Sequence, residues 1–265
     1  MSNMSKTNIP VVVLCGGKGT RLQEETEYKP KPLVDVGGKP VLWHIMKGYS
    51  HYGFNTFVLC LGHKGSAIKE YFLNYDTMNN DFSLNTRSKK RRVFDAHRPP
   101  EDWEIIFADT GKETNTGGRI KRVERHVQGD TFFATYGDGV SDVDLRALLS
   151  FHRGHKKIAT ITGFHPRSKY GQVKVRKDGE VLAFHEKPRL TDSINGGFFV
   201  FNRKIFDYLD ENCVLEREPF QKLVAEKQIA LYNHEGFWFS IDTYKEYLEI
   251  NAMVEAEKTP WVVWK

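Results

Sequence analysis

Long hydrophobic runs, a cysteine framework and a dominant charge are all missing from this 265-residue chain. No apolar stretch approaches the roughly 20 residues of a membrane span, and the polar opening leads into a run too short for a secretory core, so a cytoplasmic protein without a membrane partner is expected. The three cysteines, Cys15, Cys60 and Cys213, are widely spaced, odd in number and free of any Cys-x-x-Cys. That argues against a disulfide framework or a zinc knuckle and suits buried, reduced thiols. The ten histidines form no metal-ligand cluster; His152 and His155 come nearest and read as surface residues at a helix end. No Ser-His-Asp or Cys-His nucleophile arrangement is readable. A formal net charge of +5 is mild. It fits a small anionic substrate at least as well as nucleic acid, and the one basic run, at 87–92, reads as a solvated loop or subunit contact. Linkers rich in Gly and Ser are absent too, as are repeats; alternating strand-like and helix-like segments suggest one α/β domain over 1–265.

What is present is concentrated early. The β-branched run Val11, Val12, Val13, Leu14 reads as a buried parallel strand and empties into Cys15-Gly16-Gly17-Lys18-Gly19-Thr20-Arg21. Glycines at a strand's carboxyl end let backbone N–H groups turn toward a triphosphate, and Arg21 adds a fork of donors. The spacing matches neither the P-loop nor the dinucleotide fingerprint. Lys29-Pro30-Lys31-Pro32 follows, presenting two cations on a stiff arm because proline fixes its own φ and extends the residue before it.

Further along, Pro40 is expected at the first position of a helix carrying Val41, Leu42, Ile45 and Met46. A second glycine loop, Thr116-Gly117-Gly118-Arg119, opens another helix; it could read a flat base edge through its backbone, or simply start a helix with Thr116 as N-cap. Asp138, flanked by Gly137 and Gly139 at the end of the strand 131–136, is the best magnesium ligand in the chain. Asp142 and Asp144 read as helix N-terminal residues. Asp242 stands where an N-cap would stand or serves as a second metal ligand. Residues 170–184 have the turn chemistry of a β-hairpin closing on Glu186-Lys187-Pro188, and Asn195 precedes an apolar strand at 198–201. The aromatic tail at 260–264 is expected to pack.

Gly-Gly-Lys-Gly-Thr-Arg-Leu at 16–22 with Lys-Pro-Lys-Pro at 29–32, Gly-Asp-Gly at 137–139, Glu186-Lys187-Pro188 and Asn195-Gly196-Gly197 occur in that order. The set resembles the sugar-nucleotide pyrophosphorylases, the nucleotide-diphospho-sugar transferase family, over nearly the whole chain. Within it, Asp109-Thr110-Gly111, Thr116 to Arg119 and Pro260-Trp261 resemble the branch that uses CTP and glucose 1-phosphate. The resemblance implies a Rossmann-like three-layer sandwich, with a mostly parallel mixed sheet and a small antiparallel hairpin region toward the acceptor. It also implies a nucleotide half at about 9–140, an acceptor half at about 141–265, Mg²⁺ and homo-oligomers. It assigns Leu14, Cys15, Gly16, Gly17, Gly19, Thr20 and Arg21 to the CTP cradle, Thr116, Gly117, Gly118 and Arg119 to the cytosine and ribose, and Gly137 to the nucleotide side. Asp138 and Asp242 would hold Mg²⁺, with Lys31 the catalytic lysine beside Arg21. Tyr136, Gly171, Glu186, Lys187, Asn195 and Gly197 would face the acceptor. Family members carry Arg-Phe-Gly-Ala where this chain has Lys169-Tyr170-Gly171-Gln172, and Pro-Met where it has Ser240-Ile241. Both departures lie on the acceptor side, leaving another phosphate acceptor open; a non-catalytic nucleotide-binding regulator is the alternative of a different class.

Overall fold

The computed structural model describes residues 9–17, 19, 21–94, 101–168 and 170–264. Every side chain of β1 (Val11–Leu14) is buried, as expected of a strand covered on both faces. Val11 and Val13 pack into one core and Val12 and Leu14 into another, on opposite sides of the sheet. The remaining sheet strands are β2 (Thr56–Leu61), β3 (Glu104–Asp109), β4 (Thr131–Tyr136), β5 (Ala159–Phe164), β6 (Ile194–Asn202) and β7 (Ile229–His234). They join β1 in a seven-stranded sheet of order β7-β5-β6-β4-β1-β2-β3. All neighbours are parallel except at β6, which is antiparallel to both β4 and β5. The expected mostly parallel mixed sheet is therefore present.

Helices cover both faces. α1 (Val41–His51), α2 (Gly65–Leu73), α4 (Leu145–His155) and α6 (Tyr244–Glu255) contribute Leu42, Ile45, Met46, Ile68, Leu148 and Ile250 to the first core. α3 (Thr116–Arg122) and α5 (Glu218–Ala225) contribute Ile120 and Leu223 to the second. Pro40 sits one residue earlier than the sequence suggested, at the N-cap of α1, because it also pairs with Asp35 in a two-residue ribbon. The tail packs as expected: Trp261 is 1 % exposed, its indole N–H meeting His44 Nδ1 at 3.4 Å, and Trp264 stands edge-on to Trp43.

One topological consequence positions the site. The parallel strands deliver their carboxyl ends to one edge of the sheet, where loops to the following elements gather. Reversed β6 brings its beginning, Ile194 to Gly197, to that same edge, with Asn195 opposite Gly163. Two exposed hairpins project from the body, Phe82–Leu84 with Arg91–Val93 and Gln172–Val175 with Val181–His185; the basic run 87–92 lies on the first.

The histidine expectation needs correction. His152 is 3 % exposed, because α4 lays its inner face on β5; His152 Nδ1 and His155 Nε2 each lie 2.8 Å from the Thr160 hydroxyl. The cysteines are buried and free, as expected.

Candidate functional site

Pro30 is extended (φ −71°, ψ 151°) and hands the chain to a single 3₁₀ turn, Lys31–Leu33, stiffened by Pro32. From this turn Lys31 Nζ donates to Asp138 Oδ2 at 2.6 Å and to Asp242 Oδ1 at 2.7 Å. Arg21 Nη2 lies 3.0 Å from the same Asp242 oxygen. The carboxylates come together because Gly139–Ser141, just beyond Asp138, pairs antiparallel with Trp238–Ser240, just before Asp242. The Ile241 N–H donates to the Asp138 carbonyl at 3.0 Å and closes the ladder.

Asp242 is not the helix cap. Thr243 takes that place in a capping box with Glu246, and the Glu246 carboxylate accepts the Asp242 N–H at 2.9 Å. With the cap supplied by its neighbour, the Asp242 side chain turns to the cations. A Thr-x-x-Glu signature at 243–246 was the sequence signal for this.

Burial opposes the charge on Lys31, yet Asp138 and Asp242 outweigh it and raise its pKa above the ordinary lysine value. Burial likewise works against the Asp242 carboxylate. The Lys31 hydrogen bond and charge, helped by Arg21, overcome it and hold Asp242 below the usual range. Two carboxylates thus converge at one point, where Lys31 and Arg21 balance their charge and mark the place a cation takes. The donor set fits Mg²⁺, which takes one or two carboxylates and completes its shell with phosphate oxygens and water.

Beside this network lies a cleft of about 260 Å³ lined by Leu14, Cys15, Gly16, Gly17, Gly19, Lys31, Pro32, Thr114, Asn115, Thr116, Arg119, Tyr136, Gly137 and Asp138. Thr20 falls outside the described residues. Arg119 is 5 % exposed, and its guanidinium donates to the carbonyls of Leu61, Gly111, Gly16 and Lys112 and to the Thr110 hydroxyl at 2.7 to 3.3 Å. It ties the loops after β1, β2 and β3 into one floor. Gly16 is required there, since a Cβ would lie 2.1 Å from Arg119 Nη1.

Gly117 and Gly118 face elsewhere. Added Cβ atoms would lie 2.5 Å from Cys213 Sγ and 2.5 Å from the Glu211 carbonyl oxygen, so these glycines let α3 press against residues 211–215. Thr116 is not the N-cap of α3; Asn115 holds that position. Thr116 instead donates to Glu216 Oε2 at 2.8 Å and accepts from the Leu215 N–H at 3.0 Å. Glu216 Oε1 accepts the Tyr136 hydroxyl. Burial and this carboxylate push the Tyr136 phenol well above its usual range. Glu216 carried no sequence signal, because its partners are 100 and 80 residues away.

Of the acceptor-side candidates, Tyr136, Asn195 and Gly197 converge. Asn195 Nδ2 donates to the Tyr136 hydroxyl at 3.4 Å while its Oδ1 accepts the Gly197 N–H at 3.0 Å. Gly171, Glu186 and Lys187 belong to the outer hairpin region, where Glu186 and Lys187 are 64 % and 55 % exposed and 3.9 Å apart. None of the three lines the cleft. Asp144 caps α4 as expected, whereas Asp142 accepts from His234 and from the Phe237 N–H.

An anion cradle of backbone and glycine, a shielded lysine and two carboxylates at one sheet edge can position and neutralise a polyphosphate. Residues 10–257 match the nucleotidyl transferase family. The chain is 45 % identical over 255 residues to a probable glucose-1-phosphate cytidylyltransferase of Bacillus subtilis, covering 96 % of this chain and 99 % of that one. It is 42 % identical over 257 residues to the glucose-1-phosphate cytidylyltransferase of Salmonella typhimurium, with the same coverage. Among solved structures, HddC from Yersinia pseudotuberculosis superposes with a TM-score of 0.67 at 22 % identity, covering 93 % of this chain and 99 % of that one.

Proposed function

Because this chain belongs to the nucleotidyl transferase family, we propose that it is a cytidylyltransferase that joins CTP to α-D-glucose 1-phosphate, giving CDP-glucose and pyrophosphate. The observation that carries the reading is the shielded Lys31, held between Asp138 and Asp242 at the mouth of the glycine-loop cleft. The relatives' activity supplies the nucleotide and the sugar phosphate.

In this reaction an oxygen of the sugar phosphate attacks the α-phosphorus of CTP in line, and pyrophosphate leaves. No general base is required, since the attacking phosphate monoester is already an anion near neutral pH. The protein's work is positioning and charge stabilisation. Backbone at Gly16, Gly17 and Gly19 lies against the phosphates, and Lys31 and Arg21 neutralise the α-phosphate and the leaving group. Asp138 and Asp242 would hold Mg²⁺, which when bound supplies charge neutralisation to the triphosphate. Tyr136, Asn195 and Gly197 meet the acceptor. Arg119 holds the loop geometry from beneath, and cytosine lies on the side of Thr116.

In this reading the protein works as a cytoplasmic homo-oligomer. The test of the activity is pyrophosphate release from CTP across a panel of phosphate acceptors. Glucose 1-phosphate should stand well above the others, and a different preferred acceptor would replace it in the assignment.

A further inference from the structure

Two hydroxyl groups border the cleft, Thr116 on the side of α3 and Tyr136 at the end of β4. Each has one proton to give. A carboxylate has none, so where both hydroxyls meet the same carboxylate their protons must point at it. That carboxylate is Glu216: Oε2 takes the Thr116 proton at 2.8 Å and Oε1 takes the Tyr136 proton. The remaining contacts agree with this polarity. The Thr116 oxygen accepts from the Leu215 N–H at 3.0 Å, and the Tyr136 oxygen accepts from Asn195 Nδ2 at 3.4 Å.

Glu216 is itself held in register. The two glycines of α3 admit residues 211–215 to van der Waals contact, and the Gly118 N–H donates to the Cys213 carbonyl at 3.1 Å. The segment that ends in Glu216 is therefore docked on the helix that carries Thr116. One side chain ties the nucleotide side of the cleft to the acceptor side.

We propose that Glu216 is a positioning residue for the transfer: by taking the hydroxyl protons of both Thr116 and Tyr136, it leaves each with one remaining lone pair and no proton to offer the cleft, so bound substrates are read there by the hydrogen-bond donors they carry. The ligand groups that satisfy such a wall are sugar or ribose hydroxyls and an exocyclic amine; a fluorine or a carbonyl in the same place meets lone pair with lone pair. This inference rests on the reading of the cleft as the substrate site.

The test is Glu216→Gln, which keeps size and both heavy-atom positions but replaces one acceptor by an amide donor. One of the two hydroxyls must then reverse and present its proton to the cleft. KM for CTP or for glucose 1-phosphate should rise about tenfold with kcat changed by less than about threefold. The preference for native substrates over 2′-deoxy-2′-fluoro-CTP and singly deoxyfluorinated glucose 1-phosphates should fall by a similar factor. In a Thr116→Val/Tyr136→Phe background the same substitution should have almost no further effect. A Glu216→Gln enzyme with native KM values and native discrimination overturns the proposal, as does an undiminished effect in that background. A purely structural Glu216 would be rescued by the isosteric amide. If the native enzyme does not turn over CTP with glucose 1-phosphate, the functional reading fails separately. The proposal is then decided by calorimetric affinities of native and variant protein for the nucleoside triphosphate that binds best, which must differ for it to stand.

Discussion

Lys31 and Asp242, 211 residues apart in the chain, meet at 2.7 Å, and the same ammonium reaches Asp138 at 2.6 Å. Lys31 is only 13 % exposed at its side chain. A lysine placed this way has its position and its charge set before any ligand arrives, which is what electrostatic catalysis of phosphoryl transfer asks of it. Lys31→Ala is expected to lower kcat by about 10²- to 10⁴-fold with a much smaller change in CTP affinity. Single-turnover rates beside nucleotide titrations check this, and a kcat near native would remove Lys31 from the chemistry.

The division of labour between Asp242 and Thr243 gives a second prediction. Asp242→Asn should lower turnover at limiting Mg²⁺ by more than about tenfold, alongside a loss of stability from its broken contacts to Lys31 and Arg21. Thr243→Ala, which removes a cap, should cost about 1 kcal/mol of stability with kcat within twofold. Paired urea melts and rate measurements separate the two, and the opposite pattern would return Asp242 to a capping role.

Asp138→Asn should abolish metal-dependent turnover. Direct titration with Mn²⁺ in the presence of CTP, followed by electron spin resonance, reports the metal itself; an unaltered ion affinity in the variant would move the metal site elsewhere.

Arg119 should behave as structure. Lysine cannot reproduce a planar fork that reaches three loops at once, so Arg119→Lys should destabilise the protein by roughly 3 kcal/mol through stranded buried carbonyls. Hydrogen exchange should quicken at the Gly16, Gly62 and Gly111 loops together. A loss confined to one loop would contradict the shared floor.

Acid should weaken the fold through its buried histidines. Burial pushes His152 down to about 4 and lowers His44 as well. A lowered folded-state pKa means the unfolded chain binds the proton first, so stability rises with pH between about 4 and the unfolded value of about 6.5, and is lost on descending through that window. Urea midpoints from pH 4 to 8 should show this slope, and His152→Asn should flatten part of it.

Much of the fold and part of the site was legible in the sequence because the relevant signals are local. A β-branched run ending in glycines announces a buried strand and a loop, and Pro-Lys-Pro announces a stiff arm. Asp138 between glycines announces a carboxylate without a structural task. Asp242 is ambiguous in the sequence until the capping box that begins one residue later, Thr243 with Glu246, is assigned the cap. Gly117 and Gly118 suggest in the sequence a close approach to a base, and the close approach the fold shows is to residues 211–215. Arg119 and Glu216 were illegible for a deeper reason: what each does is fixed by partners brought together by the sheet, and no pattern in their own neighbourhoods encodes it.

The C-terminal tail has a consequence in the order of synthesis. Trp261 is sealed against His44 of α1, the helix that follows the Lys31 arm, and Asp242 lies just upstream of the last helix. A chain emerging residue by residue makes its glycine loop first and waits for residues 242–261 before Lys31 gains its second carboxylate and the arm its backing. Synthesis interrupted before residue 242 therefore yields a glycine-loop fragment in which Lys31 lacks one of its two carboxylates.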